Sequence, residues 1–291
     1  MGRFFHICSP IRSPGKSFIR RTGGDMTQTP IHGIETLTAF AISAIKSAGL
    51  TALERFGKGR GADKFDEGLV TRAELEINDR FQRLLDSQYP DHSMFTSRSI
   101  DTAYTHDSRR YLWIFDPIDG VDNYQAGIPI WGMSLALLEN FWPVFGAFYM
   151  PATGDLFHAR AGGQAFWGEK GIRMADDRII DDESLMFTFS RFHQYYTTRF
   201  PGKIRNLGCT GAHLCYVAMG RADVAVIANE TFQDLAATRM IVEAAGGQLF
   251  KAGGTKFYLN DYLNGERIEE HLLVTAPVNC RTILDSLEKR I

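Results

Sequence analysis

Apolar residues first recur at helical spacing at Leu37, Ala41, Ile45 and Ala48, every three or four positions from Ile34, which predicts an amphipathic helix ending near Gly49. A polar, glycine-rich stretch follows at 57–61. The next stripe, Ala73, Ile77, Phe81 and Leu84, predicts a second helix, with Thr71-Arg72-Ala73-Glu74 in front reading as a capping box and Tyr89-Pro90-Asp91-His92 closing it. Short β-type runs come next at 111–115, 131–138, 143–149 and 185–190, and the polar break Glu139-Asn140 between the middle two suits a hairpin. That order predicts helices on a largely antiparallel or mixed sheet. The second half reads as α/β: a small-residue helix at 211–219, a strand at 222–228, a helix at 234–245, strands near Leu249 and at 271–276, and a last helix at 281–289. A subdomain division falls between Asp176 and Glu183, giving an N-terminal α+β subdomain at 31–180 and a C-terminal α/β subdomain at 181–291.

Composition narrows the class. With 34 acidic against 32 basic residues and no dense Lys/Arg block, nothing tracks a nucleic-acid backbone, so no nucleic-acid partner is expected. Cys8, Cys209, Cys215 and Cys280 are scattered, without zinc spacing or a disulfide framework, which fits a reducing, cytoplasmic setting. The first 25 residues are basic and lack the apolar run of a signal peptide. A targeting arm is one reading of residues 1–30; a disordered leader, or an over-extended gene start with Met26 as initiator, is preferred. No stretch approaches the ~20 apolar residues of a membrane span, so no membrane partner is expected.

The chemistry concentrates where the strand at 111–115 ends. Trp113-Ile114-Phe115-Asp116-Pro117-Ile118-Asp119-Gly120 runs from apolar residues straight into two carboxylates three positions apart. A turn is one reading, since Asp, Pro and Gly favour turns and an Asp can cap a following helix. A divalent cation accounts for more of the pattern: hard Mg²⁺ takes carboxylate and carbonyl oxygens, and Ile118 offers a backbone oxygen without adding charge. Gly120 would then let backbone N–H groups at a helix start approach a phosphate.

The same run, with Asn123-Tyr124, resembles the Asp-Pro-Ile-Asp-Gly-Thr-x-Asn-Phe signature of the inositol monophosphatase family, except for Val121 and Tyr in place of Phe. Val70-Thr71-Arg72-Ala73-Glu74 resembles the family's Val-Thr-x-Ala-Asp, and Tyr89-Pro90-Asp91-His92 its Phe-Pro-x-His. Gly208-Cys209-Thr210-Gly211-Ala212 is similar to its Gly-Ser-Ala-Ala helix, and Asp234-Leu235-Ala236-Ala237 with Glu243-Ala244-Ala245-Gly246-Gly247 to its second signature. The resemblance spans residues 34–291. It implies a five-layer αβαβα sandwich of the inositol monophosphatase and fructose-1,6-bisphosphatase type, a homodimer, and Mg²⁺-dependent hydrolysis of a small sugar or polyol phosphate, with Mn²⁺ as a substitute. Carried over by position, Asp116, Asp119 and Asp234 are metal carboxylates and Ile118 a carbonyl ligand. Glu74, Asp116 and Asp119 form the catalytic set, and Gly120, Val121, Asp122, Thr210 and Glu230 face the substrate.

Several positions depart from that pattern. Ser97, followed by Arg98, stands where the family has a metal-binding Glu, and Asp101 and Asp107 are the nearby acids that could substitute. Both changes lower affinity for a divalent cation. Val121 replaces the threonine that orients the attacking water, and its usual Asp partner is Glu74, one methylene longer. Glu74 reaching the metal directly, or Asp122 holding the water, would compensate. Ile227 falls where an acid contacts inositol hydroxyls, and Gln233 replaces a Trp, so myo-inositol monophosphate is a poor fit. The alternative function is a catalytically inactive relative that binds a phosphometabolite or regulates. A nucleophilic hydrolase built on Ser190, His193 and Asp181 or Asp182 lacks the Gly-x-Ser-x-Gly turn. Of the histidines, His92 alone sits close to the proposed site.

Overall fold

A computed structural model describes residues 33–58, 67–95, 110–174, 179–262 and 266–290, and of 67–71 the backbone alone. The proposed leader, Ser97, Arg98, Asp101 and Asp107 lie outside the described residues.

Helices α1 (Ile34–Leu53) and α2 (Glu67–Gln88) form from the two predicted stripes. The seven-stranded first sheet runs in chain order: β1 (Ser93–Met94), β2 (Tyr111–Asp119), β3 (Gly132–Glu139), β4 (Trp142–Met150), β5 (Asp155–Arg160), β6 (Ala165–Trp167) and β7 (Lys170–Ile172). β1 pairs parallel with β2, and the remaining neighbours are antiparallel. Alternation along β2 sorts its side chains. Tyr111, Trp113 and Phe115 join Leu37, Ile45, Ile77 and Phe81 of α1 and α2 in one core. Leu112 and Ile114 face the other way, into a core shared with α5 (Thr210–Ala218) and α6 (Phe232–Ala244). The short α3 (Val121–Ala126) follows β2 directly.

The second sheet is built from β8 (Leu185–Thr188), β10 (Lys203–Arg205), β11 (Val224–Ile227), β12 (Gln248–Lys251) and β13 (Leu272–Thr275), in the order β10-β8-β11-β13-β12. Phe187, Ala225, Ile227, Leu272 and Val274 pack toward α5 and α6. Met186, Val224, Val226 and Leu273 pack toward α4 (Phe192–Tyr195) and α7 (Cys280–Ser286). A two-stranded ribbon joins β9 (Tyr196–Thr198) to β14 (Leu287–Lys289). Helix pair, sheet, helix pair, sheet and helix pair therefore stack as the five-layer sandwich, within one compact unit, Ile31–Ile291.

The structure differs from the sequence expectation in several places. Helix α2 begins at Glu67, so Thr71 and Glu74 lie inside the helix and are not its capping box; Glu74 has no end-capping duty there. The last helix stops at Ser286, and 287–289 turn into β14, pairing with β9. Strands β1, β5, β6, β7, β9 and β10 have no counterpart in the runs read from the sequence. Helix α1 is long and apolar enough, by length and composition, to cross a membrane, yet 56% of that stretch is buried in protein, as in the core helix of a sandwich. The β3–β4 hairpin does form, through Asn140 and Phe141, both at positive φ, as a two-residue loop between right-twisted strands demands.

Candidate active site

A β-bulge puts the two carboxylates of β2 on one side. The register with β3 jumps from Asp116 opposite Ser134 to Asp119 opposite Gly132, so three steps along β2 match two along β3. In an unbroken strand, residues three apart point to opposite faces. Here the extra residue turns Ile118 into the α1–α2 core, and Asp119 joins Asp116 in facing the central helix layer. Pro117, which has no N–H to lend to a ladder, sits inside the bulge.

Asp119 and Asp234 are each fixed by a helix start. Asp119 accepts hydrogen bonds from Cys209 Sγ at 3.3 Å, from the Thr210 N–H at 3.3 Å and from the Gly211 N–H, satisfying otherwise orphaned donors at the beginning of α5. Asp234 lies at the third position of α6 and closes a capping box with Thr231: the Thr231 N–H donates to Asp234 Oδ2 at 2.7 Å and the Asp234 N–H to Thr231 Oγ1 at 3.4 Å. Gln233 Nε2 donates to the Phe115 carbonyl at 2.6 Å, tying the start of α6 to β2 beside Asp116. Thr210 Oγ1 donates to Glu230 Oε1 at 2.8 Å, bringing Glu230 into the same cluster.

Acidities record how closely these groups face one another. Burial, then the charges of Asp234 and Asp119, hold the Asp116 carboxyl well above the usual carboxylate range, against the pull of the Ile118 N–H. Burial pushes Asp119 up to about 6, although the Gly211 N–H works the other way. Glu230 is held well above its ordinary value by burial and by Asp234 and Asp119. Asp234 is raised by burial, opposed by its bonds to Thr231 and by the charge of Arg267. Glu74, from α2, is raised by burial, and its charge reaches Asp116.

Such a donor set suits a hard divalent cation: oxygen acceptors that repel one another, with Arg267 at the edge as a countercharge. Among the described residues, no three His, Cys, Asp or Glu side chains already converge tightly enough to enclose a metal ion. Mg²⁺ usually takes one or two carboxylates together with waters and substrate oxygens, so a closed protein cage is not what it requires. Beside the acids, Gly120 adopts φ +85°, and a Cβ there would meet Cys209 Cβ at 3.0 Å and the Gly208 and Ile130 carbonyls at 3.2 Å. Only glycine fits that turn.

The structure thus brings Glu74, Asp116, Asp119, Glu230 and Asp234 together, with Thr210, Gly120 and Val121 at their margin. Ile118 is buried behind the bulge. Asp122 is exposed in the first turn of α3, and Val121 packs its side chain against the α1–α2 core. His92 instead accepts a hydrogen bond from Trp113 Nε1 at 2.9 Å, a packing role. Ser190 Oγ accepts from Asn206 Nδ2, His193 is exposed and Asp181 accepts from the Glu183 N–H, so no nucleophile–base pair forms from them.

Sequence reasoning missed the residues that hold the loops in place. Asn123 Nδ2 donates to the Ile130 carbonyl at 2.6 Å and the Leu207 carbonyl at 2.7 Å, and Tyr124 Oη donates to the Ala52 carbonyl at 2.7 Å. Both belong to the recognised run, which was a signal that they matter but not how. Gln233 stood out only as the replacement of a Trp, and Arg267 carried no such signal.

Residues 34–279 match the model of the Inositol monophosphatase family. A histidinol-phosphatase of Chlorobaculum parvum is 29% identical over 224 residues, covering 74% of this chain and 85% of that protein. A fructose-1,6-bisphosphatase/inositol-1-monophosphatase of Aquifex aeolicus is 25% identical over 237 residues, covering 77% and 88%. Among solved structures, an IMPase of Thermotoga maritima shares the fold with a TM-score of 0.70 at 22% identity, over 86% of this chain and 96% of that one. With the family match running through both sheets and every carboxylate of the cluster, the chain belongs to the inositol monophosphatase family.

Proposed function

We propose that this chain is a Mg²⁺-dependent phosphomonoesterase of small sugar or polyol phosphates, working with a weakened version of the family's water-activating machinery. The observation that carries the reading is the convergence of Asp116 and Asp119 of β2 with Asp234 of α6, each with its carboxyl pKa held above the ordinary value. Asp116, Asp119 and Asp234, with the Ile118 carbonyl, would hold the cation. When bound, Mg²⁺ supplies positive charge that polarises the phosphoryl group and neutralises the leaving oxygen. Gly120 and Val121 orient the phosphate through their backbone N–H groups. Glu74, whose pKa burial raises, would accept the proton of the attacking water at its carboxylate. Thr210 and Glu230 meet hydroxyl groups of the leaving alcohol.

One observation favours a second reading, a phosphometabolite-binding protein without turnover: Val121 offers no hydroxyl and packs into the core, so no side-chain relay runs from it to Glu74. Phosphate release separates the two. The panel takes the substrates after which relatives are named, histidinol phosphate, fructose 1,6-bisphosphate and inositol 1-phosphate, with Mg²⁺ or Mn²⁺. Metal-dependent release that disappears in Asp116→Asn is the expected result. Release only from a Ser97→Glu/Val121→Thr double variant would establish the silent relative.

A further inference from the structure

Arg267 stands at the mouth of the acidic cluster. Its backbone bridges antiparallel to Thr231, and the next residue, Ile268, donates its N–H to the Glu230 carbonyl at 2.7 Å. Two backbone contacts therefore pin position 267 against the turn that carries Glu230, Thr231 and, one helical turn on, Asp234. The side chain is exposed, and among the described residues it makes no ion pair or side-chain hydrogen bond. Arg55, Arg110, Arg160 and Lys251 each hold a carboxylate. Arg267 sits near enough for its charge to act on Asp234 yet leaves its planar fork of donors unused.

The position says which part of a ligand would meet it. Gly120 packs against Cys209 and Ile130, on the side of the α3 and α5 starts. Arg267 lies beside Glu230, against the turn that leads into α6. A substrate whose scissile phosphate sits at Gly120 would direct its alcohol portion toward Glu230 and Arg267. An unpaired guanidinium at the rim of a site lined by carboxylates suits an anion, bound in the bidentate geometry that arginine offers phosphate and carboxylate.

We propose that Arg267 is a specificity-determining residue that binds a second anionic group, phosphate or carboxylate, carried by the substrate away from the scissile phosphate. This rests on the phosphomonoesterase reading of the site.

The test is calorimetric binding to the full chain in Ca²⁺, an oxygen-ligated cation used in place of Mg²⁺ to suppress turnover. Glucose 6-phosphate carries one anionic group; glucose 1,6-bisphosphate adds a phosphate and 6-phosphogluconate a carboxylate, so the two sources of the second charge are read separately. Wild type should bind at least one doubly anionic ligand about tenfold more tightly than glucose 6-phosphate, the lower end for a hydrogen bond between charged groups. Arg267→Ala should erase that advantage and leave glucose 6-phosphate binding unchanged, while Arg267→Lys should keep part of it. Equal weakening of all three ligands would assign Arg267 to the scissile phosphate and overturn the proposal, as would the absence of any advantage in wild type. If wild type binds none of the three, the proposal falls, while the phosphomonoesterase reading is judged separately by phosphate release and loss of the advantage alone leaves it standing.

Discussion

His213 lies buried in α5, accepts the Leu207 N–H at Nε2 at 2.9 Å and stacks on Phe187 with the ring planes 10° apart. A proton on Nε2 would point at a donor already in place, and burial lowers its pKa from 6.5 to about 4. Between those values the unfolded chain binds the proton and the folded one does not. The contribution of His213 is therefore complete above pH 6.5 and lost as the pH falls toward 4. Asp119 acts in the opposite sense without a cation: its folded pKa of about 6 exceeds 3.8, so the folded state binds more protons and stability falls as pH rises through that window. Because the two oppose each other, a single melting curve hides both, and a difference between variants separates them. His213→Gln keeps an acceptor near Leu207 without the titration. Urea unfolding at pH 7 and pH 5 should show wild type losing about 2 kcal/mol more than the variant on acidification; parallel losses would mean that His213 is protonated in the folded protein.

Helix α5 owes its position to missing side chains. A Cβ on Gly211 would come within 2.2 Å of the Phe148 ring, and one on Gly132 within 2.4 Å of the same ring, so Phe148 of β4 fills the space between strand and helix. Gly211→Ala should destabilise the fold by about 1–3 kcal/mol through overpacking, read by chemical denaturation, and should displace the N–H that Asp119 accepts. Unchanged stability would mean that Phe148 can move aside. Elements such as α1, α2 and the β3–β4 hairpin were legible because one face of each is apolar, or because a turn interrupts the run. β5 was not: Leu156 enters one core while Phe157 and Ala159 enter the other, and a strand covered on both faces loses its alternation. β6 and β7, three residues each, are too short to show a period. The carboxylates could be read from the run at 116–120, but the bulge that aims them could not. It is a matter of register against β3, and no residue type records it.

Across the whole molecule, the site straddles the chain. β2 supplies Asp116 and Asp119, α2 supplies Glu74, and the segment leading from β11 into α6 supplies Glu230 and Asp234. This is why separate sequence runs carried the acids while their meeting point stayed hidden: it depends on α5 and α6 sitting between the two sheets. The bond from Gln233 to the Phe115 carbonyl joins positions 118 residues apart. Contacts of that span close large loops, whose entropy cost must be met before the contact rewards it. That closure gathers mutually repelling charges, and a cation is expected to act as a clasp on an already finished molecule. Stopped-flow measurements should find that Mg²⁺ slows unfolding and leaves the refolding rate unchanged, as for interactions absent from the transition state. Faster refolding with unaltered unfolding would instead put the closing of the two halves ahead of the barrier, and make the acids of β2 and α6 part of what starts the fold.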